Sequence, residues 1–339
     1  MNPKTNRSRN SRLAIAGVTA AAIFAGSASA APIKIGLVTK NTTNPFFVKM
    51  TEGAKKQAAK AGATIIATAG KKDGDNATQV AAIESLVAKG VKGILITPSN
   101  TKAIVPAIRK ARAKGVVVIA LDTPTEPQSA TDALFATNNY NAGLLIGKYA
   151  KAVNGDKAAK IATLDLFVPR VTVDVARHNG FLAGFGNSAI TAATKAFGPD
   201  PLVVCSGDTD GASPMGQTSM ENCLQKDPGI NLVYTINEPA AAGAYTAIKA
   251  KGKEKDISIL SVDGGCEGVR NVKAGVITAT SQQYPLKMAS LGVAAVVKYA
   301  KTGVKPKGYT DTGVTLITDK PQAGVPSKDT AFGLANCWG

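Results

Sequence analysis

The chain holds a single histidine, His178, and no Cys-x-x-Cys pair. Those two shortages leave a zinc site without its usual imidazole and thiolate ligands. No GxGxxG follows the first strand-like segment, and GxxxxGK[ST], GxSxG and HExxH are missing altogether. Nucleotide-driven, serine-hydrolase and zinc-protease chemistry therefore lack their residues, and nothing calls for a metal or another cofactor. The net charge of +17 comes without a dense basic block or interleaved aromatics. Lys55, Lys56 and Lys60, then Lys102, Lys110 and Lys114, are strung along helical stretches. They read as solvated helix faces, not as a nucleic-acid surface. Beyond the first 30 residues no stretch approaches the roughly 20 apolar residues that span a bilayer.

The first 30 residues have their own pattern. Lys4, Arg7, Arg9 and Arg12 form a basic head without an acid, Leu13 to Ala25 is apolar, and Ala28-Ser29-Ala30 is small-x-small. This is the pattern of a cleaved export signal with Ala31 as the mature N-terminus; an uncleaved membrane anchor is the alternative. Roughly 300 residues would remain, room for two domains of about 150 each.

Four cysteines follow: Cys205, Cys223, Cys266 and Cys337. In an oxidising compartment an even number favours disulfides over zinc. Three pairings are possible. Cys205–Cys223 is favoured by its short separation, and Cys266–Cys337 would then tie down the C-terminus.

The mature chain alternates apolar runs with helical segments that end at Gly. Strands are expected at 33–39, 63–67, 93–96 and 116–121, with helices over 45–62, 75–89 and 101–114 between them. After a crossing near 137–139 the pattern restarts, with strands at 161–164, 202–205, 231–235 and 257–262. Its helices are expected over 174–186, 214–225 and 239–251. Continuous apolar strands separated by helices predict parallel sheets covered on both faces. Strand ends match across the two halves, Leu121-Asp122 against Val262-Asp263. The expected fold is thus α/β, two similar doubly wound parallel-sheet lobes.

Such sheets bind ligands beyond the carboxyl ends of their strands, at the switch in strand order. Asn44, Asp122, Asn138, Asn237, Asp263 and Gln283 are placed to line a cleft between two of them. Asn44-Pro45 caps a helix and presents Phe46 and Phe47 in its first turn. Aromatic rings pack on the C–H faces of a pyranose or furanose, while fixed amides and carboxylates take its hydroxyl rim. A carboxylate can accept from two neighbouring hydroxyls, which suits Asp122 and Asp263; each could instead cap a turn. Arg177, near the start of a helix, could donate its fork to a ring oxygen and a hydroxyl. Arg170 is the weaker candidate, and His178 reads as a supporting residue. Asp122 and Asp263 could also be an acid–base pair of a glycosidase, though nothing suggests that one of them is kept protonated.

Asn44-Pro45-Phe46-Phe47, Ile119-Ala120-Leu121-Asp122, Arg177-His178-Asn179-Gly180-Phe181, Ile236-Asn237-Glu238, Ser261-Val262-Asp263-Gly264 and Ala279-Thr280-Ser281-Gln282-Gln283-Tyr284-Pro285 occur in this order. Together they resemble the ribose/galactose-binding branch of the type I periplasmic binding proteins, which serve sugar ABC transporters. The resemblance implies a periplasmic, non-enzymatic, monomeric protein that captures a monosaccharide by hinge closure and delivers it to a membrane permease. A chemoreceptor role is compatible with it. It implies that Phe46 and Phe47 wall the sugar and that Asn44, Asp122, Arg177, Asn237, Asp263 and Gln283 bond to it. It also implies an N-terminal lobe of 31–136 plus 284–311 and a C-terminal lobe of 137–283 plus 312–339. Both favoured disulfides then fall in the C-terminal lobe, and neither locks the hinge. The chain departs from ribose binders in two places. Thr123 stands where they carry Arg, and no aromatic occurs near Asp210–Gly211. Those changes point to a hexose, fructose first, a likeness that the cysteine-bearing segments share. An exported sugar-modifying enzyme and a sugar-sensing regulator of the same fold are the rivals.

Overall fold

The computed structural model describes residues 1–3 and 32–339. The export-signal reading rests on residues that lie outside the described ones. Among the described residues no helix is long and apolar enough to cross a membrane.

Strand β1 (Ile33–Thr39) is followed by α1 (Pro45–Lys60), β2 (Ala63–Ala69), α2 (Asn76–Ala88), β3 (Gly93–Ile96), α3 (Val105–Ala113), β4 (Val117–Leu121) and β5 (Ala133–Ala136). The second series runs α4 (Asn139–Asn154), β6 (Ile161–Asp165), α5 (Thr172–Phe185), β7 (Val203–Asp208), α6 (Ser213–Lys226), β8 (Leu232–Thr235), α7 (Glu238–Ala250), β9 (Ser258–Asp263), α8 (Cys266–Lys273) and β10 (Ala279–Gln282). The chain ends with α9 (Pro285–Thr302), β11 (Gly308–Asp311), β12 (Thr315–Ile317) and α10 (Thr330–Asn336).

Two six-stranded sheets result, ordered β11-β5-β4-β3-β1-β2 and β12-β10-β9-β8-β6-β7. Apart from β11 and β12, the five strands of each follow the same permutation, so the duplication read from the sequence is a duplication of topology. Only the added edge strands differ: β11 runs parallel to β5, while β12 is antiparallel to β10. Ile35, Leu37, Ile119 and Leu121 pack with Met50 of α1 and Met288 and Val293 of α9 on one face of the first sheet. Val38, Ile94, Ile96 and Val118 meet Ile83 and Ile108 on the other. The second sheet is sandwiched likewise, by Met220, Ala244 and Ile248 on one side and Ile146, Phe181 and Leu182 on the other.

Helices α4 and α5 touch backbone to backbone. Gly143 and Gly147 face Arg177 and Phe181, and Gly180 and Gly184 face Tyr140 and Leu144, with no room for a Cβ at any of the four. The four-residue spacing puts both glycines of each helix on one face. This close seam fixes the height of Arg177 on α5.

The chain crosses between the two sheets three times, and the crossings lie side by side. Thr137 Oγ1 donates to the Gly313 carbonyl at 3.2 Å, and the Tyr284 hydroxyl pairs with Thr315 Oγ1 at 2.8 Å. The disulfides are Cys205–Cys223, joining β7 to α6, and Cys266–Cys337, joining α8 to the residue after α10.

Candidate functional site

The two sheets point the ends of β1, β4, β6, β8 and β9 at one cavity. It holds about 330 Å³ of space between atoms, part of it open to solvent, and is lined from both lobes. Lys40, Asn44, Phe46, Phe47, Asp73 and Asp122 come from the first; Leu166, Val173, Arg177, Ile236, Asn237 and Asp263 come from the second.

Local capping chemistry builds one wall. Asn44 Oδ1 accepts the Phe46 amide at 2.9 Å and starts α1 ahead of Pro45. Asn41 folds the loop before it, its Oδ1 accepting the Thr43 and Asn44 amides while its Nδ2 donates to Asp73. Phe46 and Phe47 are thereby held edge to face, centroids 5.5 Å apart, both buried. Lys40 Nζ lies 5.9 Å from the Phe47 ring centroid, within reach of its electron-rich face. Burial pushes the Asp73 carboxyl above its ordinary value, against the pull of Lys40 and of the Asn41 hydrogen bond.

The charged floor combines both lobes. Asp122 sits just past β4 at φ +62°, a conformation costly to a residue with a Cβ unless its surroundings hold it. Thr123 Oγ1 donates to its Oδ2 at 2.6 Å, but its buried Oδ1 accepts no hydrogen bond. Arg177 donates Nε to Asn139 Oδ1 at 2.8 Å and Nη1 to the Ile236 carbonyl at 3.0 Å. Its guanidinium lies 3.6 Å from Asp122 and 3.9 Å from Asp263. Gln283 Nε2 donates to Asp263 Oδ1 at 2.9 Å, while its own buried Oε1 is unpartnered. Burial raises the Asp263 carboxyl, Arg177 opposes that, and Asp122 adds to it. Neighbouring Glu238 is raised by burial and by Asp263, and it accepts from the Gly264 and Gly265 amides and from Thr280.

Of the residues expected from the sequence, Asn44, Phe46, Phe47, Asp122, Arg177, Asn237 and Asp263 line this cavity. Asn237 caps α7 through the Ala240 amide and turns its Nδ2 to the Gly211 carbonyl. Gln283 stands behind the lining, holding Asp263. Asn138 is a correction. It is exposed and spends its side chain capping α4 through the Asn141 amide. The next residue, Asn139, is the one that turns inward, donating to the Asp122 carbonyl and accepting from Arg177. Arg170 lies outside the lining and pairs with Asp208 at 2.7 Å. His178 is buried against Asp165 and stacked on Phe197. Lys40, Asp73 and Leu166 carry no local motif, and only the tertiary fold brings them to the cavity.

Three comparisons place this geometry. Residues 35–305 match the family model described as periplasmic binding protein domain. The ribose import binding protein of Bacillus subtilis is 32% identical over 261 residues, covering 77% of this chain and 79% of its own length. The D-ribose/D-allose-binding protein of Pseudomonas aeruginosa is 26% identical and covers 84% and 88%. Among solved structures, an ABC transporter solute binding protein from Agrobacterium vitis with bound D-fucose superposes with a TM-score of 0.74. It is 26% identical, over 87% of this chain and 100% of the other. These relatives are binding proteins, not enzymes. With the family model spanning most of its length and both lobes folded alike, the chain belongs to the periplasmic binding protein domain family.

Proposed function

We propose that the protein is the sugar-capturing component of an ABC transporter and that its ligand is a monosaccharide, a hexose with fructose first. The observation that carries this is the buried Asp122 Oδ1, which lacks a donor while facing a cavity walled by Phe46 and Phe47. A sugar hydroxyl supplies the missing donor, and the phenyl rings cover its C–H faces. Asn44, Arg177, Asn237 and Asp263 complete the rim, and Gln283 adds an unused acceptor beside Asp263. The names of the relatives, ribose and allose binders among them, support the ligand class.

The hexose reading draws on two local features. Thr123 closes back on Asp122 and does not extend into the cavity. Gly211, at φ +65°, leaves its side to Asn237, Leu166 and Asp73, with no ring there. The apolar lining from the second lobe is accordingly aliphatic, made by Leu166, Val173 and Ile236, with no second aromatic in it.

Capture proceeds by closure of the lobes about the three crossings, with boundaries at 136/137, 283/284 and 311/312. Only contacts made by the second lobe drive closure, so Arg177, Asn237, Asp263 and Gln283 control it. The closed form then docks on a membrane permease, and a chemoreceptor could read the same face. Residues 1–30 act as a cleaved signal that delivers a monomer to the periplasm. A thermal-shift panel of monosaccharides on ligand-stripped protein tests the reading, because a cognate sugar stabilises the folded form alone. Fructose is expected to give the largest rise; no response to any monosaccharide overturns the proposal.

A further inference from the structure

The only tryptophan of the chain, Trp338, is its penultimate residue, and it is 5% exposed. Three links hold it to the second lobe. Its neighbour Cys337 is disulfide-bonded to Cys266 at the start of α8. The Cys266 amide donates to the Trp338 carbonyl at 3.0 Å. Its ring rests on Gly265, where any Cβ would come within 3.3 Å of it. The other side of the ring belongs to the first lobe. It meets Phe46 edge to face at 5.4 Å and joins the core that contains Phe47 and Met50. Its Nε1 donates to the Gln283 carbonyl at 2.9 Å, at the crossing between β10 and α9.

Trp338 thus spans the lobes behind the aromatic wall. Outside it lies a separate groove lined by Asn44, Pro45, Glu238, Gly265 and Trp338 itself. Phe46, which the ring meets on its other side, is not part of that lining.

We infer that Trp338 is a positioning residue for ligand capture: a disulfide-tethered latch that seats against Phe46 as the lobes close and holds the phenyl wall against the ligand. The inference rests on the capture reading above. An edge-to-face aromatic pair contributes beyond the area it buries, and here that gain exists only when the lobes are together. The Cys266–Cys337 bond keeps the ring in reach, so that seating it costs little conformational freedom.

The test uses the full mature chain, with fructose and the monosaccharide panel as probes in calorimetry. Trp338→Ala is expected to weaken binding by at least about tenfold, and Trp338→Phe to stay within about threefold of the parent. The double variant Cys266→Ser/Cys337→Ser should weaken binding by about fivefold or more. In the unmutated protein the emission of this sole tryptophan should change on addition of a sugar that calorimetry shows to bind. That signature needs no substitution and reports whether the ring's surroundings change on capture, while the split between Trp338→Ala and Trp338→Phe reports its positioning role. Binding by Trp338→Ala within about twofold of the parent, or an unchanged emission, overturns the latch and leaves the capture reading standing. A parent protein that binds no sugar of the panel overturns the capture reading first, and the latch with it.

Discussion

Arg177 of one lobe holds its Nη2 3.6 Å from Asp122 Oδ1 of the other, and that buried oxygen accepts no hydrogen bond. The separation is too long for a hydrogen bond and short enough for strong attraction. The carboxylate is left with an empty acceptor site beside a cation. Asp122→Ala should therefore cost at least about 2 kcal/mol of monosaccharide affinity, because the ligand hydroxyl loses a charged acceptor. Isothermal calorimetry measures it, and an affinity equal to the parent's would remove Asp122 from the site.

Arg177 also neutralises a pair of acids that would otherwise face each other. Taking it away leaves Asp122 and Asp263 buried without their cation, a situation that costs roughly 3–5 kcal/mol when one partner of a buried pair is removed. Arg177→Met is expected to lower stability by about 3 kcal/mol in urea titration and to abolish sugar binding. Arg177→Lys should rescue stability better than binding, since an ammonium cannot serve Asn139 and Ile236 together with both carboxylates.

The seam of α4 and α5 sets where that guanidinium sits. A methyl group at Gly143 would run into the Arg177 carbonyl. Gly143→Ala should destabilise the protein by about 1–3 kcal/mol through overpacking and weaken sugar binding as well, although it touches no ligand. Thermal melts with and without sugar separate the two effects. A variant with the parent's melting temperature would show that the seam has slack.

Asp263 is pushed up to about 7 from an ordinary value of 3.8. A carboxyl raised on folding holds its proton more tightly in the folded chain. Its contribution to stability is full below the unfolded value and fades as the pH climbs from about 4 toward 7. Around it, Arg177 and the Gln283 hydrogen bond oppose the rise, Asp122 adds to it, and Glu238, itself raised, is the carboxyl that titrates with it. Asp263→Asn should gain on the parent over that window in melts of unliganded protein. Curves that stay parallel from pH 4 to pH 7.5 would count against the raised value.

Much of this was readable in the residues, for reasons that differ along the chain. Asn44-Pro45 announces α1 because a cap needs only its own turn, and β1 appears over the residues expected. The paired strand ends at Asp122 and Asp263 were visible because duplication writes the same pattern twice. Asn138 misled because its side chain caps the start of α4 and does not line the cleft, and one residue later the chain exchanges solvent for the buried contacts of Asn139 with Asp122 and Arg177. Lys40 and Asp73 follow strand ends in stretches that look like ordinary turns; their burial comes from loops meeting in space. For Trp338 the one signal was its neighbour Cys337, expected to pair with Cys266; nothing local pointed to its contact with a phenylalanine nearly 300 residues earlier.

The exchange of chain between the lobes also governs how the molecule can be assembled. The first sheet waits for α9 and β11 before Ile35, Leu121 and their neighbours are fully covered, and those elements follow ten strands of earlier chain. A fragment stopped after β5 carries an open apolar face, and one begun at α4 lacks a partner for α9. Neither half is a severable module: the part made first at the ribosome stays unfinished until the chain has written most of the other.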